Sequence, residues 1–108
     1  MNEPRHIVML GNSVILGTVG ASVRRYPQYR VSSLGSIPDI AELEALRPDV
    51  MFFDLESNRP EAAFTLLETS PGLMLIGISP DSNLVKVWSG KQLRELSTRE
   101  LMEVIDKQ

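Results

Sequence analysis

The chain contains no cysteine, which excludes disulfide bonds, thiolate zinc sites and cysteine nucleophiles. Its only histidine is His6, so a pair of histidine metal ligands is also excluded, and we expect a structural role for it at the start of a strand. No run of about 18 apolar residues is long enough to span a bilayer. With no signal-like N-terminus either, the sequence predicts a cytoplasmic protein without a membrane partner.

A basic excess is also lacking. The 108 residues carry a formal net charge of -3, and the sequence pI is about 5.1. Affinity for nucleic acid usually rests on a basic surface, so we expect no nucleic-acid partner. With 43% hydrophobic and 23% charged residues, the composition is typical of a globular protein, and its length predicts a single domain over residues 1–108.

Three unbroken apolar runs, residues 6–10, 50–53 and 73–78, predict strands that are buried on both faces. Such strands are typical of the centre of a parallel sheet between helices. Residues 29–34 alternate in part and predict an edge strand. Asp54 directly follows the second run, at the end of a strand where ligands collect in open α/β sheets.

Helices are predicted between these strands from their capping residues and apolar spacing. Ser13 is the expected N-cap of the first helix, and Ser36 with Asp39 forms a capping arrangement for the second. Pro60 suits the first turn of the third. A capping box that starts at Ser97 predicts a final helix that covers one face of the sheet.

The segment after residue 78 departs from this alternation of strand and helix. Residues 84–88 and 91–96 read as two strands joined at Ser89 and Gly90. Too few residues separate 78 from 84 for a parallel crossover, so antiparallel pairing is required. The sequence therefore predicts an α/β three-layer sandwich of the flavodoxin-like kind, with a parallel sheet in the order 2-1-3-4 and an antiparallel hairpin beyond strand four.

This order of elements, with an acid after strand three and a small hydroxyl after strand four, resembles a response-regulator receiver domain over nearly the first eighty residues. The resemblance implies that Asp54 accepts a phosphoryl group and that Ser79 is the hydroxyl of the site. It also implies a magnesium site made by Asp54, Asn12 and the backbone carbonyl of Glu56. Lys86 resembles the family's strand-five lysine in local sequence.

The acidic pair that receivers carry after strand one is replaced here by Gly11 and Asn12. Magnesium prefers several oxygen ligands, preferably charged, and one aspartate with one amide is a poor set. Without the metal, phosphoryl transfer loses the main electrostatic stabilisation of its transition state. We therefore expect inefficient phosphorylation of Asp54.

Each candidate residue also has a purely structural interpretation. Asp54 can cap the following turn through the amides of Asn58 or Arg59, and Ser79 can be a turn residue before Pro80. The segment 11–13 can cradle a phosphate at a helix N-terminus, although it lacks a known phosphate-binding spacing. Trp88 can pack on the edge of the core or anchor an interface.

Two classes of function follow. The first, which we favour, is a non-catalytic, receiver-like signalling and protein-interaction module that works without phosphorylation or cofactor, with a protein partner or as a homodimer. Its contact would lie at the hairpin, with Trp88 as the anchor, or on the final helix. The alternative is a two-component response regulator that is phosphorylated on Asp54 and binds Mg²⁺ weakly. A nucleotide-binding flavodoxin-like protein is a third hypothesis that rests on fold analogy alone.

Overall fold

The computed structural model describes residues 4–35, 39–57, 60–79, 81–82, 84–90 and 92–97. Strands and helices alternate in this part of the chain until the fourth strand, after which two further strands follow without a helix between them. The elements are β1 (Arg5–Leu10), α1 (Val14–Val23), β2 (Tyr29–Leu34), α2 (Ile40–Leu46), β3 (Val50–Asp54), α3 (Glu61–Thr69), β4 (Met74–Ser79), β5 (Leu84–Ser89) and β6 (Gln92–Ser97).

The six strands of the described residues belong to one mixed sheet with the order β2-β1-β3-β4-β5-β6. The pairs among β2, β1, β3 and β4 are parallel, whereas β5 and β6 pair antiparallel. The predicted α/β class is confirmed, and the order 2-1-3-4 with a hairpin beyond strand four agrees with this sheet. Ser89 pairs with Gln92, so the second hairpin strand begins one residue later than predicted. Likeness to the flavodoxin or receiver fold remains a prediction.

Helices pack on both faces of the sheet. The face under α1 carries Ile7, Phe52 and Ile76, and the opposite face, under α2 and α3, carries Val8, Met51 and Leu75. Side chains alternate between the faces of a strand, and both faces are covered here. This arrangement explains why β1, β3 and β4 are almost wholly apolar, while β2 at the edge of the sheet is only partly buried.

Local capping sets where the helices begin. The Ser13 hydroxyl accepts the Leu16 N–H at 3.4 Å, as predicted for α1. Asp39, rather than Ser36, is the N-cap of α2, because its carboxylate accepts the Glu42 N–H at 2.9 Å. Ser36 lies outside the described residues. Pro60 stands at the N-cap of α3, one residue before the first helical turn in which it was predicted.

His6 is buried and joins three elements by hydrogen bonds. Its Nδ1 lies 2.7 Å from the Leu46 carbonyl oxygen at the end of α2, and its Nε2 lies 2.7 Å from the Ser32 hydroxyl on β2. A carbonyl only accepts hydrogen bonds, so Nδ1 carries a proton. The His6 N–H also donates to the Asp49 carboxylate at 2.7 Å. The position of the imidazole agrees with the structural role expected for it.

The predicted final helix lies beyond the described residues, apart from Ser97, which is the last residue of β6. Among the helices that are described, none has the length and apolar character needed to cross a membrane.

Candidate functional site

The candidate site lies at the carboxyl ends of the parallel strands. The sheet order reverses at β1, since the chain passes from β1 to β2 on one side and β3 lies on the other. Ligands of open α/β sheets bind at such a switch point. A cavity of about 160 Å³ lies there, lined by Leu10, Gly11, Asn12, Ser13, Leu16, Gly35, Phe53, Asp54, Ser57 and Pro60.

Asp54 ends β3 and is 8% exposed. Its Oδ1 accepts the Glu56 N–H at 2.8 Å, and its backbone carbonyl accepts both the N–H and the hydroxyl of Ser57, at 3.1 Å and 2.8 Å. The carboxylate therefore caps the turn after β3, as the structural interpretation expected, but through Glu56. Asn58 and Arg59, the donors proposed from the sequence, lie outside the described residues.

The segment after β1 brings Asn12 to the same cavity as Asp54. Gly11 adopts φ 128°, a conformation that side-chain-bearing residues rarely take, and its N–H donates to the Leu34 carbonyl at 2.8 Å. A second cavity of about 270 Å³ continues from this segment towards Ser33 on β2. Among the described residues lining the first cavity, Asp54 is the single carboxylate.

Glu56 lies beside a second acid rather than in the cavity. The pKa of Glu56 is raised above its ordinary value of 4.5, first by a hydrogen bond with the Asp81 carboxyl, then by desolvation and by the charges of Asp81 and Asp54. Protonation of Glu56 relieves this repulsion. The predicted magnesium ligand is the backbone carbonyl of Glu56, and its neighbouring N–H already holds Asp54 in place.

Ser79 ends β4, next to Ile78, which pairs in register with Asp54. Its hydroxyl is buried and accepts the hydroxyl of Ser82 at 2.7 Å, and it does not line the Asp54 cavity. Within the described parts of the chain, no three histidine, aspartate or glutamate side chains converge as a metal site would require. Asp54 and Asn12 thus line one cavity, while Ser79, at the end of the neighbouring strand, does not line it.

Trp88 belongs to an aromatic cluster that sequence reasoning missed. The Trp88 ring centroid lies 5.0 Å from that of Phe64 on α3 and 5.7 Å from that of Phe53 on β3. Phe53 and Phe64 also contact each other edge to face, with centroids 5.9 Å apart. The three rings lie on three different elements, β3, α3 and β5, so only the packing of these elements brings them together. Trp88 therefore packs on the core edge, and its role as an interface anchor remains a prediction.

Lys86 lies on the same face of the hairpin as Trp88. Its Nζ is 4.0 Å from the Glu95 Oε1 on β6, and both side chains are substantially exposed. An exposed ion pair at this distance contributes little to stability. The lysine that resembles the receiver lysine in sequence is thus paired with an acid of the hairpin.

The chain matches no protein-family model, no curated protein and no solved structure. Function is therefore inferred from the arrangement of its own residues.

Proposed function

We propose that this protein is a non-catalytic, receiver-like interaction module that works without phosphorylation. The observation that carries the proposal is the lining of the Asp54 cavity, where Gly11 and Asn12 stand in place of an acidic pair. One carboxylate and one amide form a weak site for a hard dication. The cavity therefore supplies little of the electrostatic stabilisation that phosphoryl transfer to Asp54 needs.

An interaction role is supported by the hairpin. Trp88 and Leu93 pair in register on β5 and β6, and Leu93 is 49% exposed, so together they form an apolar patch, here called the hairpin patch. Aromatic residues are enriched among those that dominate binding energy at interfaces. We propose that the hairpin patch contacts a protein partner or a second copy of the chain.

The competing function is a receiver that is phosphorylated on Asp54. The position of Asp54 favours it, because the residue ends a central strand and lines an open cavity at the switch point. In that case Asn12 and the Glu56 carbonyl would assist a weakly bound Mg²⁺.

Incubation with acetyl phosphate and Mg²⁺, followed by intact-mass measurement, separates the two functions. We expect little or no phosphoryl adduct on the wild-type protein. The variant Asn12→Asp adds one carboxylate to the cavity lining and should increase any adduct, while Asp54→Asn is the matched blank. A substantial wild-type adduct that disappears in Asp54→Asn would establish the receiver function and refute the proposal.

A further inference from the structure

β6 is the outer strand of the sheet in the described part of the chain. Its residues 92–95 are exposed, including the apolar side chain of Leu93. The outer row of N–H and C=O groups on an edge strand is a template for pairing with another strand.

Hydrogen bonding across the sheet determines which backbone groups of β6 face outwards. The Ile78 carbonyl accepts the Leu55 N–H at 2.9 Å, so the backbone of Ile78 faces β3. Ile78 pairs with Val85, whose backbone must then face β6, and Val85 pairs with the residue at position 96. Because the direction alternates along an antiparallel strand, the backbone groups of Leu93 and Glu95 point away from the sheet.

The side chains along this edge present a defined pattern. Leu93 pairs with Trp88 and Glu95 pairs with Lys86, and these four side chains share the sheet face covered by α3. Arg94 pairs with the buried Val87 and lies on the opposite face. An incoming strand therefore meets an apolar residue and an acid on one face, with a base between them on the other.

This pattern opposes pairing of β6 with β6 of a second copy. A twofold antiparallel pair places each residue opposite one that lies on the same face of the sheet. Centring the pair on Arg94 sets arginine against arginine, and centring it on Glu95 sets glutamate against glutamate, both of which are destabilising. Centring it on Leu93 avoids like charges but leaves only residues 92–94 of each strand paired.

We infer that the β6 edge binds an extended segment of a different protein, which adds as an antiparallel strand. Charge complementarity defines the order of residues in that segment. From its N-terminus, the segment carries a base opposite Glu95, an acid opposite Arg94 and an apolar residue opposite Leu93. The apolar residue extends the hairpin patch. The inference rests on the proposed interaction function, since it names the partner chemistry of the same surface.

Two synthetic peptides of equal composition test this inference. Thr-Val-Lys-Glu-Val-Thr has the complementary order, and Thr-Val-Glu-Lys-Val-Thr reverses the two charges. Trp88 is the only tryptophan of the chain and lies beside Leu93, so its fluorescence reports binding of either peptide. We expect the complementary peptide to bind about fivefold more tightly, because two cross-strand pairs change from attractive to repulsive in the other.

A charge-swapped protein provides the matched control. Arg94→Glu and Glu95→Arg are combined with Lys86→Glu, so that the ion pair within the hairpin is kept with its signs exchanged. We expect this variant to prefer the second peptide. Equal affinity for both peptides, absence of any response at millimolar concentration, or a β6-mediated dimer that Leu93→Lys dissociates would overturn the inference. Phosphorylation of Asp54 would refute the proposed function and leave the peptide preference unchanged, so the two failures are distinguishable.

Discussion

The ionised side chain of Glu56 destabilises the folded state at the end of the sheet. Its pKa is raised, chiefly by the hydrogen bond with Asp81, which means that the folded state favours the protonated acid. That stabilisation is complete below the ordinary value of 4.5 and is lost as the pH rises through the raised value. At neutral pH, the carboxylate is therefore held among other negative charges.

We predict that Glu56→Gln raises the melting temperature at pH 7 and that its advantage shrinks as the pH falls through the raised pKa of Glu56, until none remains below about 4.5. The amide keeps the shape of the side chain and removes the charge. Thermal unfolding followed by circular dichroism between pH 3.5 and pH 8 measures the effect. Glu44→Gln on the exposed surface of α2 is the control. An equal advantage of Glu56→Gln at every pH would contradict this account.

Gly77 lies against the side chains of Leu55 and Phe53, so an added Cβ would require them to shift. A Cβ at this position would lie 2.5 Å from Leu55 Cδ2 and 2.9 Å from Phe53 Cζ, both closer than atoms can pack. We predict that Gly77→Ala lowers the free energy of unfolding by about 1–3 kcal/mol through overpacking. Urea denaturation measures this difference.

The matched control is Gly17→Ala on α1, where the added Cβ meets nothing within 4 Å. Alanine is favoured over glycine inside a helix by about 1 kcal/mol, so this variant should be more stable than the wild type. The same substitution, glycine to alanine, is thus expected to lower the free energy of unfolding at residue 77 and to raise it at residue 17. Equal effects of the two substitutions would show that the contact at Leu55 does not limit residue 77.

At the scale of elements, the N–H groups of β6 point alternately towards and away from β5, and hydrogen exchange can detect this alternation. The N–H groups of Leu93 and Glu95 point away from β5, whereas that of Arg94 points to β5. We predict that the amide of Arg94 exchanges its hydrogen more slowly than the amides of Leu93 and Glu95. Hydrogen exchange followed by NMR tests this, with the central strand β3 as the slow reference. Uniformly fast exchange along residues 93–95 would contradict the pairing.

The elements were predictable from the sequence where a local pattern decides them. The apolar runs of β1, β3 and β4 specify buried strands. The short segment after Ile78 forces β5 to pair antiparallel with β4, and the turn signal at Ser89 and Gly90 predicts that the chain returns as β6. The N-cap of α2 was misplaced because Ser36 and Asp39 are both good caps, and only the chain geometry selects between them.

The candidate site was predictable only in part. The position of Asp54 at a strand end follows from the pattern, whereas its hydrogen bond to the Glu56 N–H depends on the local turn. The contacts of Trp88 with Phe53 and Phe64 depend on strand order and register, which no local signal encodes. The hydrogen bond between the Ser79 and Ser82 hydroxyls likewise depends on local geometry that the sequence pattern does not specify.

At the scale of the whole molecule, the hairpin patch predicts association. We expect Trp88→Ala to weaken a homodimer or partner complex by at least tenfold, since truncation of a hot-spot residue typically costs about 2 kcal/mol or more. Analytical ultracentrifugation at high micromolar concentration measures self-association, and circular dichroism checks that the fold survives loss of the aromatic cluster.

Val14→Ala is the matched control for this prediction, because Val14 is 87% exposed and lies on α1, away from the hairpin. Leu93→Ala removes the other apolar side chain of the hairpin patch and leaves the aromatic cluster intact. If Trp88→Ala and Leu93→Ala both leave association unchanged in folded protein, then Trp88 serves only to pack the core edge.

The missing crossover after β4 also affects how the chain folds. Ser79 pairs with Leu84 and Ser89 with Gln92, so the β4-β5-β6 meander closes through very short loops, whereas Ile7 must find Val50 across much of the chain. Loop-closure entropy grows with the length of the loop, and local contacts form fastest. The C-terminal meander is therefore expected to form early, whereas the pairing of β1 with β3 closes the longest loop among the described strand pairs and is expected to form last.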